Sequence, residues 1–530
     1  ATIGSFHTHL LHGVTGSGKT EVYLALIERV VARGKSAIVL VPEIALTPQT
    51  TRRFARRLGH LGVAVLHSGL TQAERHRQWR RAAAGEAKVV VGARSAVFAP
   101  LADVGIIIVD EEHDSSYKQD QLPRYHARDL AIVRAKLESA LAVLGSATPS
   151  LESWHNAILG RATKWTMPDR VGGQTMPTVE LANTLDEPRG PGGHLPTIGA
   201  RLSHALTDTL NTGGQAIILQ NRRGYAGAIA CRRPSCGWRL QCSSCDASMV
   251  LHRQRSLPRG SLVRCHHCLA EQLAPAACPS CSGPTTTIGV GTQRVEEELA
   301  ARFGLAVGGD LVRVDSDTMR TGRDYFDTLE RFGSGDIRVL LGTQMIAKGL
   351  DFPNVRLVGV ISADTGLSMP DFRAAERTFQ LVSQVAGRAG RSKDEGLVIV
   401  QTMQPDDAAI ELAAAHNYER FAERELAIRE QAGLPPTTRM VRIVCRDETD
   451  ERASGRASDI ARSLKQTDLV RVEPAGPCPI ARIAEFYRYE VIATADTPGR
   501  VRAALQALRA VGLATSDART AIDVDPTALL

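Results

Sequence analysis

Eight of the ten cysteines lie in four pairs within one segment of the chain. Thiolates separated by two to four residues can occupy two corners of a tetrahedral zinc site, and two such pairs complete it. The second and third pairs along the chain, here called the inner pairs, are separated by 19 residues, which suits one ribbon-type site. The first and last pairs, the outer pairs, are left for a second site. Zinc is favoured over disulfides because nothing else in the chain is typical of a secreted protein. The predicted ligands are Cys242, Cys245, Cys265 and Cys268 for the inner zinc and Cys231, Cys236, Cys278 and Cys281 for the outer zinc.

A second set of residues has the pattern of a phosphate-binding loop. The segment Gly13–Thr20 has the sequence GVTGSGKT, follows an apolar stretch and precedes a helical pattern. Its glycines allow backbone N–H groups to surround phosphates, and the start of a helix favours negative charge. We expect Lys19 to lie between the β- and γ-phosphates of ATP and Thr20 to bind Mg²⁺. The predicted phosphate-binding residues are Gly13, Gly16, Ser17, Gly18, Lys19 and Thr20.

Two acidic residues have the position that the second half of an ATP site requires. Gly105–Val109 is typical of a buried strand, and Asp110 and Glu111 come directly after it. In open α/β sheets, ligands bind at the carboxyl ends of the strands. We therefore expect Asp110 to hold Mg²⁺, directly or through water, and Glu111 to orient and deprotonate the attacking water.

Two arginines further along the chain complete the predicted chemistry. Arg388 and Arg391, in the stretch QVAGRAGR, are three positions apart and so share one face of a helix. Such arginines can reach the γ-phosphate of ATP from a second lobe and stabilise the charge that develops during hydrolysis. The alternative is that both are surface residues of an arginine-rich chain.

The elements that must position these residues are parallel sheets. Short runs rich in β-branched residues alternate with helical patterns, which is typical of α/β folds. The strands predicted in the first part are Ala37–Val41, Val63–Leu66, Lys88–Val91, Gly105–Val109 and Leu141–Leu144. The alternation resumes at Ala216–Leu219 and ends at Leu397–Gln401, interrupted by the cysteine segment. One long charged helix is expected over Ala408–Gln431, followed by a smaller α+β region.

The predicted organisation is therefore two α/β lobes, a cysteine-rich double-zinc insert in the second lobe and a small α+β C-terminal domain. The predicted bounds are 1–165 for the first lobe, 166–197 for a linker, 198–230 and 283–405 for the second lobe, 231–282 for the insert and 406–530 for the C-terminal domain.

Composition adds weaker constraints. The net charge of +7 favours an anionic partner such as nucleic acid, although a genome rich in arginine codons would also produce it. No apolar run approaches the 18 residues needed to span a membrane, and no signal segment begins the chain, so a cytoplasmic location is expected. The chain begins at Ala1 rather than at a methionine, and we expect it to be a fragment.

Several stretches resemble the superfamily 2 helicases, in which two RecA-like lobes close on ATP. The resemblance is closest to the bacterial replication-restart helicase family, also called primosomal protein N′, and it covers essentially the whole chain. The stretches that carry it are LLHGVTGSGKTEVYL from Leu10, LVPEIALTPQ from Leu40, VGARSAVFAPL from Val91, DEEHDSSYKQDQLPRYHARDLA from Asp110, GSATPSLES from Gly145, NRRGYA from Asn221, GTQMIAKGLDFPNV from Gly342 and QVAGRAGR from Gln384.

This resemblance implies an ATP-dependent 3′→5′ DNA helicase that binds forked and single-stranded DNA, unwinds lagging-strand duplex and promotes loading of the replicative helicase. The implied partners are DNA forks, primosome or helicase-loading proteins and single-stranded-DNA-binding protein, with the protein a monomer associated with the bacterial nucleoid. The implied cofactors are two structural Zn²⁺ ions, and Mg²⁺ with ATP. The family carries a DNA-binding region before the phosphate loop, where only about a dozen residues are present here.

The resemblance also implies residues that couple hydrolysis to DNA. An aromatic loop that senses single-stranded DNA fits the physical chemistry, because aromatic rings stack on bases and cations hold phosphates. The alternative is that the tyrosines and the histidine of this loop are core residues. The residues implied in DNA binding or coupling are His113, Tyr117, Lys118, Arg124, Tyr125, Thr148, Thr343, Gln344 and Lys348.

Two other functions stay open at this point. One is a DNA-binding primosome scaffold whose ATPase is dispensable, and the complete set of hydrolysis residues argues against it. The other is an RNA helicase of the same superfamily, and the cysteine insert argues against that. The pair Cys231/Cys236 has four intervening residues where the family usually has two, which enlarges one loop but still allows zinc binding.

Overall fold

A computed structural model gives the fold of the chain. It describes residues 3–42, 48–173, 175–189, 195–220, 228–233, 235–253, 261–265, 267–288, 291–315, 318–319, 322–343, 346, 352–390 and 396–529. The chain forms two compact units. The first unit comprises Ala1–Asn221, Glu296–Asp364 and Glu376–Arg424, and the second comprises Arg222–Val295, Thr365–Ala375 and Glu425–Leu530. None of the helices in the described ranges is long and apolar enough to cross a membrane.

The first part of the first unit is a parallel sheet covered by helices. In chain order its strands, with a short hairpin β6–β7, are β1 (His7–Gly13), β2 (Ser36–Leu40), β3 (Val63–Leu66), β4 (Val89–Gly92), β5 (Val104–Asp110), β6 (Lys118–Gln119), β7 (Tyr125–His126), β8 (Leu141–Ser146) and β9 (Thr163–Met167). The helices are α1 (Lys19–Val31), α2 (Pro48–Leu58), α3 (Gln72–Ala83), α4 (Ala127–Leu137) and α5 (Leu151–Ile158).

The strand order of this sheet brings the predicted catalytic segments to one edge. The order is β3-β4-β2-β5-β8-β1-β9, and the pairings are parallel. Ile106, Ile107 and Ile108 of β5 are fully buried, as their unbroken aliphatic run predicts for a strand covered on both faces. Because β1 and β5 both flank β8 in parallel, the phosphate loop and the acidic residues emerge at the same edge.

The remaining strands before residue 403 belong to two further sheets. In chain order they are β10 (Thr178–Asn183), β11 (Gln215–Gln220), β12 (Ala228–Cys231), β13 (Val250–Arg253), β14 (Ser261–Arg264), β15 (Glu271–Leu273), β16 (Thr285–Ile288), β17 (Leu311–Val314), β18 (Val339–Gly342), β19 (Val355–Ile361) and β20 (Leu397–Thr402). One sheet is parallel, with the order β10-β20-β19-β11-β18-β17. The other is the antiparallel sheet β15-β14-β13-β12-β16 of the cysteine-rich insert. The strand β10 lies inside the segment that the sequence predicts as a linker.

Helices of the second half include one departure from the sequence prediction. They are α6 (Ala200–Asn211), α7 (Thr292–Phe303), α8 (Gly322–Ser334), α9 (Ala374–Ala386), α10 (Ala408–Ala414) and α11 (Tyr418–Gln431). The prediction of a single helix over Ala408–Gln431 is wrong, because the helical conformation is interrupted between α10 and α11. His416 has a φ of 54°, and the side chain of Asn417 accepts a hydrogen bond from the N–H of Arg420 at 3.1 Å. A left-handed residue ends the first helix, and an asparagine cap begins the second.

The C-terminal region is the predicted α+β domain. Its strands are β21 (Arg439–Asp447), β22 (Arg471–Val472), β23 (Gly476–Ile483), β24 (Phe486–Ala495) and β25 (Thr520–Val524), and its helices are α12 (Asp450–Gln466) and α13 (Pro498–Ala510). The strands form an antiparallel sheet, and its buried core includes Ile443, Ile460 and Leu508. Short 3₁₀ helices elsewhere cover Gly59–Leu61, Arg94–Phe98, Ser115–Tyr117, Thr184–Asp186 and Ala363–Thr365. The predicted fold class of two parallel-sheet lobes, a cysteine-rich insert and an α+β C-terminal domain is confirmed.

Candidate ATP site and metal centres

The phosphate loop has the conformation that anion binding needs. Gly16 and Gly18 have φ values of 84° and 88°, which residues with a Cβ atom rarely adopt. Gly18 is the N-cap of α1 and provides no side chain, so the first N–H groups of the helix face the loop. Lys19 is buried, and its ammonium donates to the carbonyl oxygens of Gly13 at 2.6 Å and Val14 at 3.3 Å. These carbonyls hold the lysine inside the loop, where a phosphate can accept its hydrogen bonds.

Asp110 and Glu111 lie at the end of β5, as predicted. The hydroxyl of Tyr23, on α1, donates to Oδ1 of Asp110 at 2.9 Å and links the acid to the helix that follows the phosphate loop. Burial, with repulsion from Glu111, raises the pKa of Asp110 to about 6, and a cation bound beside the two acids would favour the charged form of Asp110. Glu111 directly follows the strand and has a φ of 46°, a backbone conformation that is uncommon for a residue with a side chain.

Glu112, the next acidic residue, has a structural environment that sequence reasoning missed. It is fully buried and accepts hydrogen bonds from the N–H of Ser150 at 2.6 Å and from the hydroxyls of Ser150 and Ser153 at 2.9 and 2.8 Å. The guanidinium of Arg128 also donates to it at 3.3 Å. A carboxylate with this many donors anchors the segment after β8. Nothing in the sequence separates this role from that of Glu111.

His113 connects the two halves of the first unit. Its Nδ1 lies 2.7 Å from the hydroxyl oxygen of Ser146, at the end of β8, and its Nε2 contacts the side-chain amide of Gln384 on α9. If the amide donates to Nε2, the neutral ring must donate from Nδ1 to Ser146. The ring is therefore a hydrogen-bonded link between the two parallel-sheet halves, rather than a histidine packed only among apolar residues.

The loop after α9 packs directly against the phosphate loop. A methyl group placed on Gly387 would lie 2.6 Å from Oγ1 and 2.8 Å from Cβ of Thr15, so any larger residue there would force Thr15 or the loop to shift. The next residue, Arg388, is buried, and its charge acts on the neighbouring Tyr325 of α8. Arg388 therefore directly follows a residue that packs on the phosphate loop, and its role at the γ-phosphate stays a prediction. Arg391 lies outside the described residues.

Several polar atoms at this edge suit a bound nucleotide. Within the described part of the chain, Oγ of Ser17, Oγ1 of Thr148 and Oε2 of Glu111 are buried without a hydrogen-bond partner. Buried polar groups normally have partners, and phosphate oxygens or an attacking water would supply them here. Thr20 and Asp110 are the residues that would hold Mg²⁺, an ion that binds oxygen ligands and neutralises phosphate charge.

The predicted DNA-sensing loop is only partly available to a base. Tyr117 is fully buried, and its hydroxyl donates to the carbonyl oxygen of Asp110 at 2.7 Å. The prediction that Tyr117 stacks on a DNA base is therefore wrong, and the residue belongs to the core. The side chain of Lys118 is also buried. Tyr125 is half-buried and packs edge-to-face on Phe98, which is 51% exposed. The centroids of the two rings are 5.2 Å apart. An exposed aromatic of the motif VGARSAVFAPL therefore accompanies Tyr125.

The other residues implied in DNA binding are placed unevenly by the structure. Arg124 lies half-buried beside Tyr125. Thr343 directly follows β18, and its carbonyl oxygen accepts the N–H of Ile346 at 3.1 Å. Gln344 and Lys348 lie outside the described residues.

The eight paired cysteines form two clusters of four, grouped as the spacing predicts. Within each cluster the four sulfurs lie within 4.8 Å of one another. Three of the sulfur–sulfur distances are 3.4 Å for Cys231–Cys281, 3.7 Å for Cys236–Cys278 and 3.5 Å for Cys242–Cys268. Four sulfurs bound to zinc at about 2.3 Å are separated by about 3.8 Å. Both clusters therefore fit a zinc ion, including the outer one with the enlarged Cys231–Cys236 loop.

The inner cluster is contacted by a hairpin of the C-terminal domain. The strands β23 and β24 are joined by Ala484 and Glu485, which have φ values of 49° and 69°, typical of a two-residue hairpin turn. The N–H of Ala484 donates to Sγ of Cys245 at 3.1 Å. Amide donors of this kind stabilise thiolate ligands and are part of a metal site.

Backbone hydrogen bonds extend this contact on both sides. The N–H of Asp246 donates to the carbonyl oxygen of Arg482 at 2.9 Å, and the N–H of Glu485 donates to that of Ser244 at 2.8 Å. Ile483 packs against the apolar residues around the inner cysteines. The sequence gives no signal for this contact, since its two sides are separated by about 240 residues.

The two parallel sheets, the phosphate loop and the arginine-bearing loop define the class of two-lobed helicases. Family models agree with this class. Residues 2–157 match the DEAD/DEAH box helicase model, and residues 284–393 match the helicase conserved C-terminal domain. Residues 430–527 match the primosomal protein N C-terminal domain.

Curated relatives identify the family. The chain is similar to the replication restart protein PriA of Bacillus subtilis (46% identity over 486 residues) and to those of Synechocystis (40% over 534) and Treponema pallidum (42% over 523). The alignments cover 91%, 99% and 98% of this chain. The chain therefore belongs to the replication restart protein PriA family. It spans 59%, 63% and 77% of the lengths of these relatives.

Proposed function

We propose that the chain is the motor of an ATP-dependent 3′→5′ DNA helicase that acts in replication restart. The observation that carries the proposal is the contact of Gly387 with Thr15, which brings the loop with Arg388 against the phosphate loop. When two parallel-sheet halves share an ATP site, hydrolysis of the ATP can change their positions relative to each other. Such a change is what moves a motor along a strand.

Each residue of the site has a defined task in this proposal. Lys19 binds the β- and γ-phosphates of ATP, and Glu111 takes the proton of the attacking water. Arg388 stabilises the charge that develops on the transferred phosphoryl group, and we assign the same role to Arg391. The link from His113 to Gln384 would report the state of the nucleotide to the second half.

The proposed substrate and partners follow from the family. The relatives are replication restart proteins, and the resemblance of this chain to them favours forked and single-stranded DNA as the substrate. We propose that the motor unwinds lagging-strand duplex and promotes loading of the replicative helicase. Helicase-loading proteins and single-stranded-DNA-binding protein would be its partners. In this proposal the chain acts as a monomer in the bacterial cytoplasm, at the nucleoid, with two structural Zn²⁺ ions and with Mg²⁺ bound to ATP.

ATP hydrolysis with and without single-stranded DNA tests the motor assignment. We expect DNA to stimulate hydrolysis, and Lys19→Ala to abolish it while the variant stays folded. Unwinding of duplexes that carry either a 3′ or a 5′ single-stranded tail then tests the direction. Hydrolysis that ignores DNA, or that survives in the Lys19 variant, would contradict the proposal. Replicative-helicase loading that is undiminished in that variant would instead favour a scaffold.

A further inference from the structure

The segment that joins the two parallel-sheet halves runs along the phosphate loop. The N–H of Val14 donates to the carbonyl oxygen of Met167 at 3.1 Å, and the N–H of Val171 donates to that of Gly16 at 3.0 Å. A methyl group placed on Gly18 would lie 3.1 Å from Cγ2 of Val171. The sequence predicts a linker here, whereas the structure shows a segment hydrogen-bonded to the phosphate loop at two points.

Arg170 lies in this segment and is only 6% exposed. Its aliphatic stem passes along Gly16, where an added methyl group would lie 3.7 Å from Cγ and 3.9 Å from Cδ, which is ordinary van der Waals contact. Its guanidinium donates to the carbonyl oxygen of Gly390 at 3.2 Å. Gly390 is two residues after Arg388, in the loop that packs on Thr15. One side chain therefore touches both loops of the ATP site, each from a different half.

We infer that Arg170 is a positioning residue, which holds the loop of Arg388 in register with the phosphate loop. Arginine suits this task because its stem can pack on a backbone while its planar head donates in a fixed direction. Gly390 has a φ of 68° and packs closely on Gly396, so its carbonyl has a defined direction. A displaced Arg388 would still allow ATP to bind to Lys19 but would reach the transition state less often.

This inference rests on the proposed ATPase and has its own readout. With saturating single-stranded DNA, we expect Arg170→Gln to lower the kcat for ATP hydrolysis by about tenfold, with the KM for ATP within about threefold of wild type. Arg170→Lys should recover only part of the kcat. The matched control is Arg161→Gln, since Arg161 is exposed and precedes the segment. This control should leave both constants unchanged.

Hydrogen exchange decides the inference independently of hydrolysis. In Arg170→Gln, amides 387–390 should exchange about tenfold faster than in wild type, while those of β1 and β5 stay protected. Unchanged exchange would overturn the inference. A fall in kcat accompanied by an equal loss of ATP affinity or of folded protein would also overturn it, because the arginine would then be merely structural. A wild-type chain without DNA-stimulated hydrolysis would refute the proposed function, and the exchange result would still decide the role of Arg170.

Discussion

At the scale of single residues, the neighbouring acids Glu111 and Glu112 lie in opposite environments. Glu111 Oε2 has no hydrogen-bond partner in the described residues, whereas Glu112 is buried among donors from Ser150, Ser153 and Arg128. We expect Glu111→Gln to keep the fold and lower ATP hydrolysis by about 10²-fold or more. Glu112→Gln should lower the free energy of unfolding by about 3 kcal/mol, because it breaks a buried charged network.

Denaturant unfolding and ATP hydrolysis, measured on both variants, separate the two roles. Each variant is the control for the other, since both remove one negative charge at adjacent positions. If Glu111→Gln proved as destabilising as Glu112→Gln, the assignment of Glu111 as the base would be wrong.

Gly387 carries a second prediction at this scale. In Gly387→Ala the new methyl group would overlap Thr15, so the two loops of the ATP site could not approach. We expect ATP hydrolysis to fall at least about tenfold. The melting temperature should stay nearly unchanged, because the two halves can separate at this contact without unfolding. Gly455→Ala is the matched control, because no atom lies within 4 Å of the added methyl group and the site is within helix α12. Normal hydrolysis in Gly387→Ala would show that this contact is not needed.

At the scale of elements, the hairpin β23–β24 depends on the inner cysteine cluster. The N–H of Ala484 in its turn donates to Cys245, and backbone hydrogen bonds join the hairpin to Ser244 and Asp246, whose positions a bound zinc ion would fix. Metal analysis should find about two zinc ions per chain. After removal of zinc with a chelator, we expect amides 482–487 to exchange at least about tenfold faster.

Amides of the first parallel sheet are the internal control for this experiment, because they belong to the other unit. A hairpin that stays protected without metal would mean that its own strands hold it in place. Cys242→Ser should reproduce the effect of the chelator at the hairpin, whereas Cys236→Ser, in the outer cluster, should leave the hairpin protected.

At the scale of the whole molecule, stability should depend on pH through His12. Its ring lies in an aromatic cluster, with its centroid 5.4 Å from that of Trp154 and 5.2 Å from that of Tyr418. Burial lowers the pKa of His12 to about 4. An unfolded histidine takes up a proton near pH 6.5, whereas the folded one does so only near pH 4. The stability that neutral His12 contributes to the folded state is therefore complete above about pH 6.5. As the pH falls from there toward 4, the free energy of unfolding decreases by about 1.4 kcal/mol per pH unit.

Denaturant unfolding between pH 7.5 and 5 measures this dependence. His12→Gln should have a shallower loss of stability on acidification than wild type. His76→Gln should follow wild type, because His76 is exposed on α3. Equal slopes in the His12 variant and wild type would contradict the prediction.

The sequence by itself determined the features that depend on nearby residues. Aliphatic runs such as Gly105–Val109 determined the buried strands, and the spacing in GVTGSGKT determined the phosphate loop. The nested cysteine pairs determined both four-sulfur clusters, since one tetrahedral site needs two close pairs. The strands Thr163–Met167 and Thr178–Asn183 were not predicted, because their mixed composition resembles that of an exposed loop.

Only the tertiary structure decided the contacts between residues far apart in the chain. It separated Glu112 from Glu111 by placing Ser150 and Ser153 around Glu112, and it buried Tyr117, whose hydroxyl donates to the backbone of Asp110. It also placed Arg170 between two loops and the hairpin of residues 482–487 on the inner cysteines. Local pattern reports which face of an element is apolar, but not which distant backbone will meet it. These contacts depend on how the sheets and domains pack, and a single sequence does not record that packing.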